Sequence, residues 1–119
     1  MATKMLEAHV RRQDGAAVID LAGEIDSFAD EALSAAYAEA ERQSPSAILL
    51  NFKDVEYINS TGIALIVGLL AQARKSGRRL LTTGLSDHYL EIFQITRLAD
   101  FMAIFPDEAT ALKDLSPAS

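Results

Sequence analysis

The hydroxyl residues Ser60 and Thr61 are the side chains whose types and setting most suggest chemistry in this chain. They follow Asn59, precede Gly62 and stand between two apolar runs, the second of which begins at Ile63. The order of apolar strand, short loop, hydroxyl pair and apolar helix places Ser60 at a helix N-terminus. Backbone N–H groups there lack partners and carry partial positive charge, so the position favours an anion. The pattern indicates either an ordinary helix cap or a serine that can carry a phosphate.

Enzymatic use of Ser60 is the first alternative. A nucleophilic serine needs a base within hydrogen-bond reach, and no Gly-x-Ser-x-Gly elbow surrounds this one. The two histidines, His9 and His88, are far apart in sequence, and the chain has no cysteine. We therefore expect no enzymatic activity, no catalytic residue, no metal site and no bound cofactor.

Length and composition indicate one folded domain. Half of the 119 residues are hydrophobic, which is enough for a single core that we place at about residues 6–115. The net charge of −6 argues against nucleic-acid binding, which depends on basic side chains. Residues 1–7 contain no signal-peptide pattern, and the near-apolar run at residues 63–73 is shorter than the roughly 20 residues that span a bilayer. We expect a soluble cytoplasmic protein that does not bind membranes.

The elements that must position Ser60 alternate between strands and helices. Two strands, at residues 6–12 and 16–22, flank an Asp-Gly turn, which is a strong hairpin signal. Ser27 is the predicted N-cap of an amphipathic helix of roughly four turns. The remaining pattern predicts strands at 46–52, 79–83 and 101–105, and helices at 61–76, 87–94 and in a last segment that reaches about residue 115.

This order of elements predicts an α/β fold with a mixed β-sheet of about five strands and about four helices. The N-terminal hairpin is antiparallel, and the strand–helix–strand units that follow make the later strands parallel. Open sheets of this kind meet ligands at the loops that follow the carboxyl ends of parallel strands. Ser60 lies in one of these loops.

The helix after Ser60 carries apolar residues on more than one side. One stripe at helical spacing is expected to face the sheet, and it consists of Ile63, Ile66, Val67 and Leu70. Leu65 and Leu69 fall on another side, so either neighbouring elements cover them or they belong to a partner surface. Gly68 either permits close approach of another backbone or is tolerated at a cost of about 1 kcal/mol.

A basic cluster ends the same helix and begins the next strand. It consists of Arg74, Lys75, Arg78 and Arg79. Cations in the last turn of a helix complement its dipole, so a solvated helix end is the simplest explanation. Docking of an acidic surface is the alternative.

Several stretches together resemble the bacterial anti-sigma factor antagonists, a family built on the STAS domain. They are residues 21–26, 54–63, 84–86, 95–98 and 105–109, in the family's order and with its spacing. The similarity covers about residues 6–115 and implies the mixed-sheet STAS fold. In that family the loop usually reads Asp-Ser-Ser/Thr-Gly, and its first serine is phosphorylated. The match places this role on Ser60, with Thr61 as the fallback acceptor, Gly62 as the motif glycine and Asp26 as a neighbouring acid.

The resemblance also implies partners. Unphosphorylated protein is expected to bind an anti-sigma factor that is also a serine kinase, through a surface that includes Ser60, Thr61, Leu65 and Leu69. This binding releases a sigma factor, phosphorylation of Ser60 prevents it, and a serine phosphatase restores it. The expected oligomeric state is a monomer or weak dimer.

Asn59 departs from the family pattern, because Asp is usual at this position. Asn keeps a capping oxygen but removes a charge. A kinase that recognises the carboxylate therefore loses a contact, whereas a phosphate on Ser60 meets less repulsion.

STAS-like domains are also used outside sigma-factor control. They occur in sulfate transporters, lipid-transport complexes and sensory signalling assemblies. The lack of membrane spans removes the transporter itself. The alternative function is a STAS subunit of a lipid-transport ATPase complex or of a sensory signalling assembly.

Overall fold

Five strands form one mixed β-sheet, and four α-helices cover its two faces. The computed structural model describes residues 4–115. Outside the described residues lie residues 116–119 and residues 1–3, which belong to the segment assessed above for a signal peptide. The strands are β1 (Glu7–Gln13), β2 (Ala16–Ile25), β3 (Ala47–Ile58), β4 (Arg79–Thr83) and β5 (Ala103–Phe105). The helices are α1 (Asp30–Arg42), α2 (Ser60–Lys75), α3 (Asp87–Ile95) and α4 (Glu108–Leu115), with 3-10 turns at Ser27–Ala29 and Leu98–Asp100.

The sheet confirms the predicted fold class. Its strands lie in the order β1-β2-β3-β4-β5, with β1 antiparallel to β2 and all later neighbours parallel. The predicted hairpin turn is also confirmed, since Asp14 and Gly15 have φ angles of 51° and 85°. A two-residue type I′ turn requires positive φ at both central positions, which Asp-Gly sequences adopt readily.

The core lies on both faces of the sheet. Alternate residues of the central strands pack against α1, α2 and α3, and this cluster includes Ile19, Leu21, Ile48, Leu50 and Phe93. The opposite face packs against α4 through a smaller cluster of Val18, Leu49, Leu81 and Ala111. Central strands buried on both faces must be apolar at nearly every position, as the sequence of β3 is in its first half. Within residues 4–115, no helix combines the length and apolar character needed to cross a membrane.

The start of α1 differs from the prediction. Ser27 is not the N-cap, because Asp26 takes that role for the 3-10 turn that precedes the helix. The Oδ1 atom of Asp26 accepts a hydrogen bond from the Phe28 N–H at 2.9 Å. The α-helix itself begins only at Asp30.

β3 runs further than the sequence pattern predicted. The predicted strand ends at residue 52, whereas β3 continues to Ile58 and pairs along this extension with β2, which ends at Ile25. β4 ends at Thr83, which pairs with Asn51, so the extension of β3 beyond Asn51 has no partner in β4. The paired ends of β2 and β3 therefore project beyond the rest of the sheet, and they carry the loops that hold Asp26 and Ser60.

Candidate functional site

Ser60 is the first residue of α2, and Asn59 caps this helix. The Oδ1 atom of Asn59 accepts a hydrogen bond from the Gly62 N–H at 2.8 Å, and its backbone carbonyl accepts one from the Ile63 N–H at 2.9 Å. Both hydroxyl residues, Ser60 and Thr61, are exposed. A hydroxyl group in this position is accessible to another protein and lies where the helix dipole stabilises negative charge.

The first turn of α2 packs directly on the end of β2. A Cβ atom on Gly62 would lie 2.0 Å from the carbonyl oxygen of Ile25, so a larger residue cannot fit without displacing backbone. The Asn59 N–H donates to the same carbonyl at 3.2 Å. These contacts hold the Ser60 loop against the end of β2 and explain why a glycine follows the hydroxyl pair.

Asp26 lies at the same edge of the sheet as Ser60. It follows Ile25 directly, and the Ile25 carbonyl is the group that anchors the loop before α2. The Asp26 side chain is partly exposed, and its carboxylate caps the turn that leads to α1. The residues expected around the hydroxyl pair therefore belong to one region of the surface.

Two exposed aromatic side chains flank this region, and sequence reasoning missed both. Phe28 is 77% exposed and Tyr57 is 50% exposed, although large aromatic side chains are mostly buried in folded proteins. Phe28 lies in the 3-10 turn that Asp26 caps, and Tyr57 lies near the end of β3 opposite Glu24. No local sequence signal identifies either ring as exposed, because the exposure depends on where the neighbouring elements end.

The buried face of α2 differs from the predicted one. The residues that face the core are Gly62, Ile66, Leu69, Leu70 and Ala73. The prediction that Val67 faces the sheet is wrong, because its side chain is 44% exposed. The placement of Leu69 on a partner surface also needs correction, since this side chain is 4% exposed. The rotation of about 100° per residue puts Leu69 on the stripe of Ile66, with the partly buried Leu65 at the margin of that stripe. The same rotation turns Val67 to the other side of the helix.

Several acidic residues lie at the same edge of the sheet as Ser60. Glu24 and Glu56 lie near the ends of β2 and β3, Asp26 follows β2, and Asp30 and Glu31 lie in the first turn of α1. The Lys4 ammonium pairs with Glu56 at 2.9 Å, and this hydrogen bond and charge raise the pKa of Lys4. Among residues 4–115, no group of three or more side chains could hold a metal ion. Such an edge favours a partner that presents basic side chains.

A second polar cluster lies on the α4 face of the sheet. Arg11 of β1 donates hydrogen bonds to Asp20 of β2 at 2.6 Å and to Glu108 of α4 at 2.9 Å, and Asn51 donates to Asp20 at 2.8 Å. The hydrogen bond from Arg11 holds the pKa of Asp20 below its ordinary value despite partial burial. Hydrogen bonds to Glu108 and Asp20 raise the pKa of Arg11. Because the cluster joins three elements around one guanidinium, it fastens α4 to the sheet.

Comparison with known proteins identifies the family. A family model described as "Mlab, STAS domain" matches residues 8–106 of this chain. The chain therefore belongs to the STAS domain family, which confirms the resemblance drawn from its motifs. Among curated proteins it is similar to the anti-sigma-B factor antagonist of Staphylococcus aureus, with 28% identity over 99 residues that cover 83% of this chain and 92% of the relative.

Solved structures support the fold. An anti-sigma factor antagonist from Mycobacterium paratuberculosis matches with a TM-score of 0.76 and 23% identity, covering 95% of this chain and 96% of the other. The Bacillus cell fate determinant SpoIIAA in its phosphorylated form matches with a TM-score of 0.69 and 23% identity, covering 92% and 99%. SpoIIAA in its unphosphorylated form matches with a TM-score of 0.68 and 21% identity, covering 91% and 96%. At these identities the likeness concerns the fold.

Proposed function

We propose that this protein is an anti-sigma factor antagonist whose binding to an anti-sigma factor is switched off by phosphorylation of Ser60. The observation that carries the proposal is the exposed hydroxyl of Ser60 at the α2 N-terminus, at an edge with two exposed aromatic rings. The names of the curated relatives, and the existence of SpoIIAA in phosphorylated and unphosphorylated forms, support it. The proposed role is regulatory, with no reaction catalysed by this chain.

The proposed partner surface surrounds Ser60. It comprises Ser60 and Thr61 at the helix start, the rings of Phe28 and Tyr57, and the partly buried Leu65 at its margin. Exposed aromatic residues next to polar groups are typical anchors of protein interfaces. The carboxylates at this edge of the sheet complement a basic face on the partner.

Phosphorylation would act on binding rather than on folding. A phosphate adds about −1.5 to −2 charges at pH 7, and a negative charge at a helix N-terminus is favoured by roughly 0.3–1 kcal/mol. The folded state should therefore persist. A covered phosphate without a counter-ion costs several kcal/mol of desolvation, and each 1.4 kcal/mol changes affinity about tenfold. The same surface would thus release its partner while the protein stays folded.

Asn59 modifies the switch. Its amide caps α2 as an aspartate would, but it brings no charge next to the acceptor hydroxyl. We propose that the kinase recognises Asp26 in this protein, since that carboxylate remains at the same edge. The serine phosphatase that resets the switch would meet a phosphate held at an exposed helix start.

A capture experiment tests the proposal. Wild type, Ser60→Ala and Ser60→Asp baits are exposed to lysate of the native organism, and retained proteins are identified by mass spectrometry. We expect an anti-sigma factor with a kinase domain on wild type and Ser60→Ala, and its loss on Ser60→Asp. Equal retention of the anti-sigma factor by all three baits would refute the proposed switch. Phosphopeptide mapping of the native protein then shows whether Ser60 or Thr61 carries the phosphate.

A STAS subunit of a lipid-transport ATPase complex is the second candidate. The description of the matching family model, "Mlab, STAS domain", favours it. The same capture experiment separates the two functions, because a transport ATPase would replace the kinase-like anti-sigma factor among the retained proteins.

A further inference from the structure

We propose that a second surface, at the opposite end of the sheet from Ser60, docks an acidic peptide segment of a partner protein. We call it the Phe101 surface, and it consists of Arg74, Lys75, Ile95, Arg97 and Phe101. It is formed by the last turn of α2, the end of α3 and the connection from α3 to β5. The inference does not rest on the proposed switch at Ser60.

The Phe101 surface contains two large apolar side chains that are exposed. Ile95, the last residue of α3, is 71% exposed, and Phe101, on the short connection from α3 to β5, is 52% exposed. A shallow cleft next to Phe101 is lined by Arg78, Arg79 and Asp100, among others. An exposed aromatic ring beside a charged cleft is the composition expected of an interaction site.

Arg74 adds a cation to the aromatic ring. Its guanidinium carbon lies 5.3 Å from the centroid of the Phe101 ring, which is a cation–π distance. The planar guanidinium is held by the ring and keeps donors for a carboxylate, which it can bind in bidentate fashion. The helix dipole explains a cation in the last turn of α2, but it does not explain why an aromatic ring stays exposed beneath that cation.

The charge balance of this end is positive. Arg78 pairs with Glu41 at 2.6 Å, and Arg79 pairs with Asp114 at 3.0 Å. Arg97 pairs with Asp100 at 2.8 Å. In the described part of the chain, Arg74 and Lys75 have no carboxylate within ion-pair distance. Two uncompensated cations in a chain of net charge −6 give this end the opposite sign to the Ser60 edge.

An acidic peptide fits these features better than a membrane does. Recognition of anionic lipid typically uses four to eight basic residues, whereas this surface offers two without acidic partners. Arg74 covers one face of the Phe101 ring, so the ring is poorly placed to enter a bilayer. A peptide that alternates carboxylates with apolar side chains would pair its charges with Arg74 and Lys75 and place an apolar side chain against Phe101 and Ile95.

The distance between the two surfaces allows both to be occupied. Ser60 begins α2 and Arg74 lies fourteen residues later in the same helix, a separation of about 21 Å along the axis. That exceeds two Debye lengths of about 8 Å at physiological ionic strength. A phosphate on Ser60 should therefore leave peptide binding at the Phe101 surface unchanged.

Peptide titration of the full chain tests this proposal. The probe is a fluorescein-labelled peptide of roughly ten residues that alternates Glu with Phe or Leu, and the matched probe has Ser in place of Phe and Leu. We expect saturable binding of the first probe, with affinity at least about tenfold higher than that of the second. Arg74→Glu and Phe101→Ser should each weaken it at least about tenfold, with far-UV circular dichroism confirming folding.

Arg42→Glu is the matched control. Arg42 is an exposed arginine in the last turn of α1. The substitution therefore makes the same charge change as Arg74→Glu at a residue outside the Phe101 surface. It should weaken binding less than about threefold, and Ser60→Asp should change nothing. Equal losses for Arg74→Glu and Arg42→Glu would overturn the proposal, as would failure to saturate at about 1 mM peptide. Arg74-dependent binding to phosphatidylglycerol vesicles without peptide binding would replace it with a membrane surface.

Discussion

Asn59 is the N-cap of α2, directly before the proposed phosphorylation site. Its side chain satisfies one of the N–H groups that a helix start leaves open, through the bond from Gly62 at 2.8 Å. The amide therefore performs the structural task of the aspartate usual in the family. The charge that it omits concerns recognition and not the fold.

Substitutions at Asn59 test its role as the cap of α2. Asn59→Ala should lower the free energy of unfolding by about 1 kcal/mol, because the Gly62 N–H loses its acceptor. Asn59→Asp should keep the cap and add roughly 0.3–1 kcal/mol from the helix dipole. Urea denaturation of the three proteins measures both effects. If Asn59→Ala were as stable as wild type, the capping role would be refuted.

Asp20 links the stability of the protein to pH. The hydrogen bond from Arg11 holds the pKa of Asp20 below its unfolded value. Its contribution to stability is therefore complete above the unfolded pKa of about 3.9 and is lost as pH falls through the folded pKa. We expect Asp20→Asn to be less stable at pH 7 and to lose less stability than wild type between pH 5 and acid conditions. Parallel stability curves for the two proteins would contradict this.

Residue-scale roles were predictable where a motif fixed them. Asn59, Ser60 and Gly62 lie at the helix start because a polar cap and a close backbone contact need those residue types. Phe28 and Tyr57 could not be predicted as exposed, because the exposure of one ring depends on where neighbouring elements stop. Nothing in the local pattern records that.

Helix α2 contains two glycines with opposite roles. Gly62 is buried against the carbonyl of Ile25, 2.0 Å from where a Cβ would lie. Gly68 is exposed, and no atom lies within 4 Å of its Cβ position. Of the two explanations open at Gly68, the structure therefore selects tolerance rather than close backbone contact.

Alanine at each glycine gives a matched pair. Gly62→Ala should destabilise the protein by about 1–3 kcal/mol or more, because backbone must shift to admit the methyl group. Gly68→Ala should stabilise it by roughly 0.5–1 kcal/mol through helix propensity. Thermal unfolding of both variants provides the measurement. A stabilising Gly62→Ala would contradict the packing of α2 on β2.

Elements were predictable to the extent that apolar periodicity defines them. The hairpin, α2 and β4 follow strong local signals, and all three are present, although β2 continues to Ile25, beyond its predicted end at residue 22. The end of β3 was missed, because Lys53, Asp54 and Glu56 interrupt its apolar run. Pairing with β2 holds this extension, and such long-range pairing leaves no local pattern. The stripe of α2 was misjudged because its register depends on the sheet beneath it.

Over the whole molecule, the two ends of the sheet carry opposite charge. Glu24, Asp26, Asp30 and Glu31 lie at the edge of the sheet that carries Ser60, whereas Arg74 and Lys75 lie at the far end of α2. A partner that docks at the Ser60 edge should be basic, and its association rate should fall as salt rises.

Phe28 tests the position of the partner surface. Phe28→Ala should weaken binding of the captured anti-sigma factor at least about tenfold, because it removes an exposed aromatic ring from the proposed partner surface. The stability should change little, since the ring is 77% exposed. Phe101→Ala is the matched control, because it removes another exposed ring from the opposite end and should leave this affinity unchanged. Equal effects of the two substitutions would mean that the surface is misplaced.

The affinity of the captured partner for Ser60 variants tests the central claim most directly. Calorimetric titration compares wild type, Ser60→Ala and Ser60→Asp, with thermal unfolding recorded for each. The account predicts equal binding by wild type and Ser60→Ala, loss of at least about a hundredfold in Ser60→Asp from several kcal/mol of uncompensated charge, and similar unfolding temperatures. Undiminished binding by a folded Ser60→Asp protein would contradict it.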